Sequence, residues 1–180
     1  MPSKPKIYID SACFIDMAKQ KVGKQIGIDR EREVLFLKMM LEAAKAGDME
    51  AYTSTLTVAE CTHADGEIND DIKQLFTSIL TSGQYIRLVQ PDLFIAEDAR
   101  DLRWKHDITL SGADGIHVAS ALRMGCQEFM TTDNRPKKES AKPKIKALGL
   151  RVITPSETQL LPGEYRQEDM LEQSGDEQEA

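Results

Sequence analysis

The chain has 180 residues, of which 41% are hydrophobic and 29% charged, a composition typical of a soluble protein that forms one domain with its own core. No apolar run approaches the ~20 residues needed to span a bilayer, and the opening MPSKPKIYID has no signal-peptide stretch, so we expect a cytoplasmic protein without a membrane segment. The net charge of −7 comes mainly from residues 164–180, which hold seven acidic residues and one arginine, so the nearly neutral remainder excludes neither a nucleic acid nor a protein partner.

Short runs of β-branched and aromatic residues alternate with helical patterns along the chain. We predict strands at Lys6–Ile9, Glu50–Ser54, Tyr85–Val89, Glu128–Thr131 and Arg151–Ile153. We predict helices at Ala12–Lys19, Glu33–Gly47, Glu67–Leu80, Asp92–Lys105, Ser111–Gly125 and Lys138–Leu148, the last interrupted near Pro143. The segment Lys19–Arg32, rich in Lys, Gly and Arg, is predicted to be a loop. This alternation predicts an α/β fold with a central parallel β-sheet flanked by helices on both faces.

The domain organisation follows from where these patterns begin and end. Residues 1–5 form a short N-terminal extension, and residues 6–155 contain all the predicted strands and helices. Residues 156–180 are acidic, rich in Gln and poor in large apolar side chains. We therefore expect one folded domain followed by a disordered acidic tail.

Four acidic residues stand where such a sheet would bring them together. Asp10 and Asp133 come just after the first and the fourth strand. Glu60 completes a capping-box pattern that begins at Thr57, and Asp114 completes a second one, so each is predicted near the start of a helix. Since ligands bind outside the carboxyl ends of parallel strands, these acids are candidates for one site.

Taken one at a time, these acids also have ordinary structural explanations. Asp10 can cap the helix that follows it, Glu60 and Asp114 can belong to capping boxes, and Asp133 can form a turn with the next residue. Taken as a set, four carboxylates in one concavity repel one another unless a cation lies among them. Oxygen ligands select Mg²⁺ or Mn²⁺, ions that promote phosphodiester hydrolysis.

Four segments resemble, in order, the motifs of the PIN-domain nucleases: IYIDSACFIDMAK, TSTLTVAECTH, LSGADGIHVASALRMG and CQEFMTTDNR. The resemblance extends over roughly Lys6 to Thr154 and implies a single PIN-like domain with Mg²⁺- or Mn²⁺-dependent endoribonuclease activity. It implies that the catalytic and metal-binding residues are Asp10, Glu60, Asp114 and Asp133, and that two hydroxyl residues, Ser11 and Thr131, support the site.

Two further features lie close to these motifs. A basic run follows Asp133, and we predict that it binds substrate phosphates, although it could equally be a solvated helix face. His117, three residues after Asp114, is predicted to be a packed or hydrogen-bonded histidine rather than a general acid. The predicted RNA-binding residues are Arg135, Lys137, Lys138 and Lys142.

From this resemblance we predict a hydrolase that cuts RNA phosphodiester bonds with a metal-activated water. Compact single-domain PIN proteins are very often VapC-type toxins of toxin–antitoxin pairs, which implies an antitoxin partner, a homodimer and a structured RNA target such as transfer RNA. The alternative is a non-catalytic module that keeps the PIN fold and binds RNA or a regulatory partner.

Overall fold

A computed structural model describes residues 3–133 and 136–166, with the backbone alone for residues 136–138. Five strands form one sheet: β1 (Lys6–Ile9), β2 (Glu50–Ser54), β3 (Arg87–Val89), β4 (Glu128–Met130) and β5 (Arg151–Ile153). Their order is β3-β2-β1-β4-β5, and every neighbouring pair is parallel. The predicted α/β fold with a parallel sheet is therefore confirmed. The strand order reverses direction between β1 and β4, which places the ligand crevice of such a sheet at their carboxyl ends.

Seven α-helices lie between residues 11 and 147: α1 (Ser11–Lys21), α2 (Ile28–Ala46), α3 (Thr55–Glu60), α4 (Asp70–Phe76), α5 (Leu93–His106), α6 (Gly112–Arg123) and α7 (Pro136–Ala147), and residues 163–166 are also helical. The predicted helix Glu67–Leu80 is shorter than expected, because a π-helical turn, Thr77–Thr81, follows α4 directly. None of the helices described is long and apolar enough to cross a membrane.

The central strand β1 separates two apolar cores. Ile7 and Ile9 belong to one core, which also contains Phe14 from α1 and Leu37 from α2. Tyr8 points to the other core, which is completed by side chains of α5, α6 and α7. Because successive side chains of a strand point to opposite faces, this alternation covers the sheet with helices on both sides, as predicted.

The predicted loop Lys19–Arg32 is wrong at both ends. α1 continues to Lys21 and α2 begins at Ile28, so the connection is short. The first turn of α2 is exposed and lacks apolar periodicity, which explains why the sequence pattern begins only at Val34. Acidic residues in that turn complement the positive end of the helix dipole, and Arg30 is held by an ion pair to Asp16.

The predicted interruption near Pro143 is also wrong, because α7 runs through it without a break. A proline removes one hydrogen bond to the carbonyl four residues earlier. That residue is Glu139, which is exposed, so solvent can satisfy its carbonyl group. The free-energy cost of a proline inside α7 is therefore lower at position 143 than at a buried position.

The chain continues to pack on the domain after the last strand, within the segment predicted to be a tail. A 3-10 turn, Pro155–Glu157, follows β5, and the Thr158 hydroxyl donates to the buried carboxylate of Glu128 at 2.6 Å. Leu161 is buried in the first core. Residues 156–166 therefore contact the domain, while the disorder predicted for the rest of the tail concerns residues outside the described range.

Candidate active site

Asp10 leaves β1 at the sheet edge and caps α1. Its main-chain N–H donates to the Met130 carbonyl, which continues the β1–β4 ladder by one step. One carboxylate oxygen accepts from the Ser11 N–H at 2.9 Å, and the other accepts from the Thr131 hydroxyl at 2.6 Å. Both explanations of Asp10 thus hold at once, because it is an N-cap and it also lies in the crevice between β1 and β4.

Thr131 joins the two acids that follow β1 and β4. Its hydroxyl donates to Asp10 and accepts from the main-chain N–H of Asp133 at 3.0 Å. Thr131 is buried and Asp133 is half-buried, so this link lies under the surface of the crevice. The structure places the predicted supporting hydroxyl between two of the predicted acids.

Glu60 enters the site from the end of a helix rather than from its start. The predicted capping box Thr57–Glu60 is wrong, because α3 is capped by Ser54, whose hydroxyl accepts from the Leu56 N–H. The Thr57 hydroxyl instead pairs with that of Thr53 at 2.8 Å inside the protein. Glu60 is consequently the last residue of α3, one helical segment beyond the carboxyl end of β2.

A buried hydrogen-bonded chain holds Glu60. Its carboxylate lies 3.1 Å from Nε2 of His117, and Nδ1 of that ring lies 2.8 Å from the hydroxyl of Tyr8. Tyr8 is 0% and His117 1% exposed, so solvent does not reach their contact, whereas the Glu60 side chain is 30% exposed. The chain connects three elements, β1, α6 and α3, and it confirms His117 as a hydrogen-bonded histidine.

The protonation of this chain follows from its burial. Burial, and next the negative charge of Asp10, raise the pKa of the Tyr8 phenol far above its ordinary value, so the phenol keeps its proton. A phenol that keeps its proton donates it to Nδ1 of His117, which leaves Nε2 as the ring nitrogen that donates to Glu60.

Asp114 lies in the first turn of α6, one turn before His117. Its main-chain N–H donates to the Ser111 hydroxyl at 3.2 Å, as the predicted N-terminal cap requires. Residues three apart lie on neighbouring parts of a helix surface, so Asp114 and His117 share one side of α6. Asp114 is buried, with 9% of its surface exposed.

Cys61 brings Glu60 and Asp10 into one neighbourhood. Its thiol lies 3.9 Å from the Ser11 carbonyl, directly beside Asp10. Burial, followed by the charges of Glu60 and Asp10, raises the pKa of this thiol to about 12. Both carboxylates are therefore close to the same sulfur atom, although they are 50 residues apart along the chain.

Asp16 is a buried acid at this edge that the sequence motifs did not single out. Its carboxylate accepts from the Thr132 hydroxyl at 2.6 Å and from the Arg30 guanidinium at 2.5 Å. The consecutive threonines Thr131 and Thr132 thus donate to two different acids, Asp10 and Asp16. The signal available in the sequence is an acid within an otherwise apolar stretch of a short helix, FIDMA.

The residues predicted to be metal ligands have the donor chemistry that suits a hard cation. All four are carboxylates, and Thr131 and His117 contact two of them, Asp10 and Glu60, as outer-shell hydrogen-bond partners do. Within residues 3–133 and 136–166, no three His, Cys, Asp or Glu side chains form a group that could hold a metal ion. The four-carboxylate metal site remains a prediction.

The basic run after Asp133 is only partly described. Arg135 and the side chains of Lys137 and Lys138 lie outside the described residues. Lys142 forms an ion pair with Glu139 at 2.6 Å, and Lys144 forms one with Asp107 at 2.8 Å. A role for this run in RNA binding remains a prediction.

Comparison with known proteins identifies the family to which these features correspond. The sequence model of the PIN domain matches residues 7–142. Among solved structures, the crystal structure of FitAcB from Neisseria gonorrhoeae is similar with a TM-score of 0.51 and 20% identity, over 84% of this chain and 99% of that chain. A similarity at this identity supports the fold alone. No curated protein matches significantly.

Proposed function

The chain belongs to the PIN-domain family, whose members are generally nucleases, and on that premise we propose that it is a Mg²⁺- or Mn²⁺-dependent endoribonuclease of the cytoplasm. The proposed metal ligands and catalytic residues are Asp10, Glu60, Asp114 and Asp133. The observation that carries this proposal is the pair of hydrogen bonds of Thr131, which ties Asp10 to Asp133 in the crevice between β1 and β4.

The side chains around these acids restrict their motion. The Thr131 hydroxyl donates to the Asp10 carboxylate and accepts from the Asp133 N–H, so these two hydrogen bonds fix its rotation. His117 donates to one oxygen of Glu60 and is itself held by Tyr8. Acids held in this way lose little side-chain entropy when a ligand binds.

A divalent ion, when bound, supplies a Lewis acid that stabilises negative charge on the attacked phosphate and favours water as the nucleophile. The four carboxylates would hold this ion in place. The hydrogen bonds from Thr131 and His117 would keep the carboxylates of Asp10 and Glu60 from turning toward solvent. The Thr132–Asp16–Arg30 contacts hold the end of β4 from its other side. A cysteine nucleophile is disfavoured, because Cys13 and Cys61, which lie near these acids, are buried and burial raises their pKa.

The test compares cleavage of a mixed RNA by the wild type and by Asp114→Asn, with Mg²⁺, with Mn²⁺ and with EDTA. We expect metal-dependent cleavage in the wild type and a rate at least ~100-fold lower in the variant. Asp70→Asn is the matched control, because that carboxylate is fully exposed in the first turn of α4. RNA that is bound tightly but never cut would favour the alternative, a binding module that retains the fold.

We further propose that this endoribonuclease is the toxin of a VapBC-type pair, with an antitoxin partner, a homodimeric state and a structured RNA such as transfer RNA as target. The compact PIN domain supports this role through the resemblance to VapC-type toxins. Where a small open reading frame adjoins the gene, co-expression with its product tests the role. A stable complex in which RNA cleavage is suppressed is expected, whereas unaltered cleavage in its presence would contradict it.

A further inference from the structure

A pocket of about 230 Å³ lies between the end of α3 and the π-helical turn Thr77–Thr81 that follows α4. This α3–α4 pocket is lined by three apolar side chains and three hydroxyl side chains, namely Val58, Phe76 and Leu80, and Thr62, Thr77 and Thr81. The phenylalanine and the leucine are buried and the three threonines are exposed, so the pocket has an apolar floor and a hydroxyl rim. Because π-helical turns are frequent at functional sites, this pocket is a candidate for binding a ligand.

Cys61 connects the pocket to the candidate active site. Its side chain contributes to the lining, and its thiol donates to the Ser11 carbonyl, 3.9 Å away and directly after Asp10. The same residue follows Glu60 in the chain. The wall of the pocket is therefore held against the segment that carries one proposed metal ligand and is adjacent in sequence to another.

The pocket and the Glu60 carboxylate lie on different sides of α3. Val58 and Thr62, two residues before and after Glu60, line the pocket, whereas the Glu60 carboxylate contacts His117 of α6. A helix with its side chains is ~10–12 Å across, so the pocket lies about one helix width from that carboxylate. A ligand in the pocket would be a neighbour of the scissile phosphate and would not occupy its place.

The lining suits a neutral ligand with hydrogen-bonding edges. The hydroxyls of Thr62 and Thr77 have no hydrogen-bond partner in the described part of the chain, and the Thr81 hydroxyl donates to the Thr77 carbonyl at 3.0 Å and keeps its lone pairs. Lys73 is the one charged side chain in this lining among the described residues, and it forms an ion pair with Asp70 at 3.1 Å. A phosphate would find no unpaired cation there.

The volume of the pocket restricts the ligand to a single ring system. At ~30 Å³ for each water molecule, the pocket holds roughly eight waters, and clefts for drug-sized ligands are larger, ~300–1,000 Å³. A helix of a protein partner is too wide to enter it. An unpaired RNA base is planar and neutral, and proteins recognise such bases by apolar contact with their faces and hydrogen bonds to their edges.

We propose that the α3–α4 pocket binds one unpaired base of the RNA, at a nucleotide beside the one whose phosphate is cut. The inference rests on the proposed endoribonuclease function and adds a specificity determinant to it. The hydroxyls of Thr62 and Thr77 bond to the edge of the base, and Phe76 and Leu80 contact its face. Because a base in a duplex is paired and stacked, the pocket directs cleavage to single-stranded segments such as loops.

The test measures the affinity of the full chain for fluorescein-labelled, twelve-nucleotide strands of adenylate, cytidylate or uridylate. Fluorescence anisotropy is recorded in EDTA, so that the proposed cleavage does not consume the probe. The wild type is expected to bind one strand at least ~5-fold more tightly than the other two. Thr62→Val and Thr77→Val keep the side-chain shape and remove one hydroxyl each, so each should reduce this preference ~2-fold or more, and the double variant should abolish it.

A filled pocket and two controls separate the base from the phosphates. Thr77→Trp fills the pocket and should lower the affinity for the preferred strand to that for the others. A twelve-nucleotide abasic strand has phosphates without bases, so the wild type and Thr77→Trp should bind it equally. Ser78→Ala is the matched control, because that exposed hydroxyl lies in the same turn and donates to the Leu75 carbonyl at 2.9 Å. It should keep all the wild-type affinities, and circular dichroism verifies that each variant is folded.

A wild type that binds none of the three strands, or binds all of them equally, would overturn the proposal, as would variants that keep the wild-type preference. If Thr77→Trp cut a mixed RNA at the same positions and rates as the wild type, the pocket would be refuted and the endoribonuclease would stand. A preference abolished by the variants in a protein that never cuts RNA would support the pocket and refute the endoribonuclease. If Thr77→Trp kept every RNA affinity but released a co-expressed partner, the pocket would belong to that protein instead.

Discussion

Replacing Tyr8 with Phe tests whether the buried chain Tyr8–His117–Glu60 orients the candidate site. The change removes one oxygen and keeps the ring, which stacks on Phe129 with centroids 5.3 Å apart and planes 6° from parallel. What is lost is the 2.8 Å hydrogen bond to Nδ1 of His117. Because solvent does not reach that nitrogen, we expect the free energy of unfolding to fall by ~1–3 kcal/mol, the cost of a buried polar atom without a partner.

The same substitution should weaken metal binding at a distance. Without the Tyr8 hydroxyl, His117 loses the contact that fixes its ring and its proton, and Glu60 at the other end of that ring is less firmly oriented. Loss of an outer-shell partner typically lowers metal affinity ~10–100-fold. Urea titration in EDTA measures the first effect, and calorimetric titration of Mn²⁺ into the metal-free protein measures the second.

Tyr52→Phe is the matched control, since that hydroxyl also bonds a carboxylate, Glu50, at 2.8 Å but at the amino end of the sheet. Glu50 is partly accessible, so water can replace the lost donor, and we expect a cost of at most ~1 kcal/mol and unchanged Mn²⁺ affinity. If Tyr8→Phe lost stability but bound Mn²⁺ like the wild type, the chain would be a packing feature only. If Tyr8→Phe matched Tyr52→Phe in both stability and Mn²⁺ affinity, the expectation that burial makes the Tyr8 hydrogen bond costly to lose would also be wrong.

Three further changes test other parts of the structure. Arg151→Met leaves the fully buried Glu128 without the guanidinium 2.9 Å away and should lower the free energy of unfolding by ~3 kcal/mol in urea titrations. Truncation after Thr154 should cost ~3 kcal/mol or more in the same assay, because it exposes apolar surface and removes donors to Glu128, whereas truncation after Arg166 should change nothing. Burial raises the pKa of the Cys126 thiol from 9.0 to about 12. Between these pH values the unfolded chain has lost this proton and the folded chain keeps it, so the free energy of unfolding should fall as the pH rises. The fall should be less steep in Cys126→Ala.

The sheet could be predicted from the sequence because its signals are local. Runs such as KIYI are short, β-branched or aromatic, and followed by a polar residue that ends the strand. Their alternation with helices leaves a parallel sheet as the simplest arrangement. The same rule placed Asp10 and Asp133 at one edge, and the hydrogen bonds of Thr131 link them there.

The helix that carries Glu60 shows where local patterns mislead. Ser54 and Thr57 are both hydroxyl residues that could cap a helix, and only Thr57 has an acid three residues later. The structure uses Ser54, because Thr57 is buried and pairs with Thr53 of β2. A capping pattern specifies which residue could start a helix, whereas burial decides which one does.

Contacts between distant segments could not be predicted from periodicity. The pairing of Asp16 with Arg30 and Thr132 joins α1, α2 and the segment after β4, and the local pattern of each segment gives no indication of its partners. The packing of residues 156–166 was hidden for a related reason. They were assigned to the acidic tail, but they are held by bonds to the buried Glu128 on a distant strand and by Leu161, which is buried in the first core.

The carboxylates at the sheet edge raise the question of how the fold tolerates them before any cation binds. Three of them are answered by neutral or cationic donors from the protein itself: Asp10 by Thr131, Asp16 by Thr132 and Arg30, and Glu60 by His117. A donor to one oxygen lowers the cost of burying the charge and leaves other lone pairs of the same carboxylate available. The threonines and the histidine therefore lower the cost of gathering these three acids at the sheet edge.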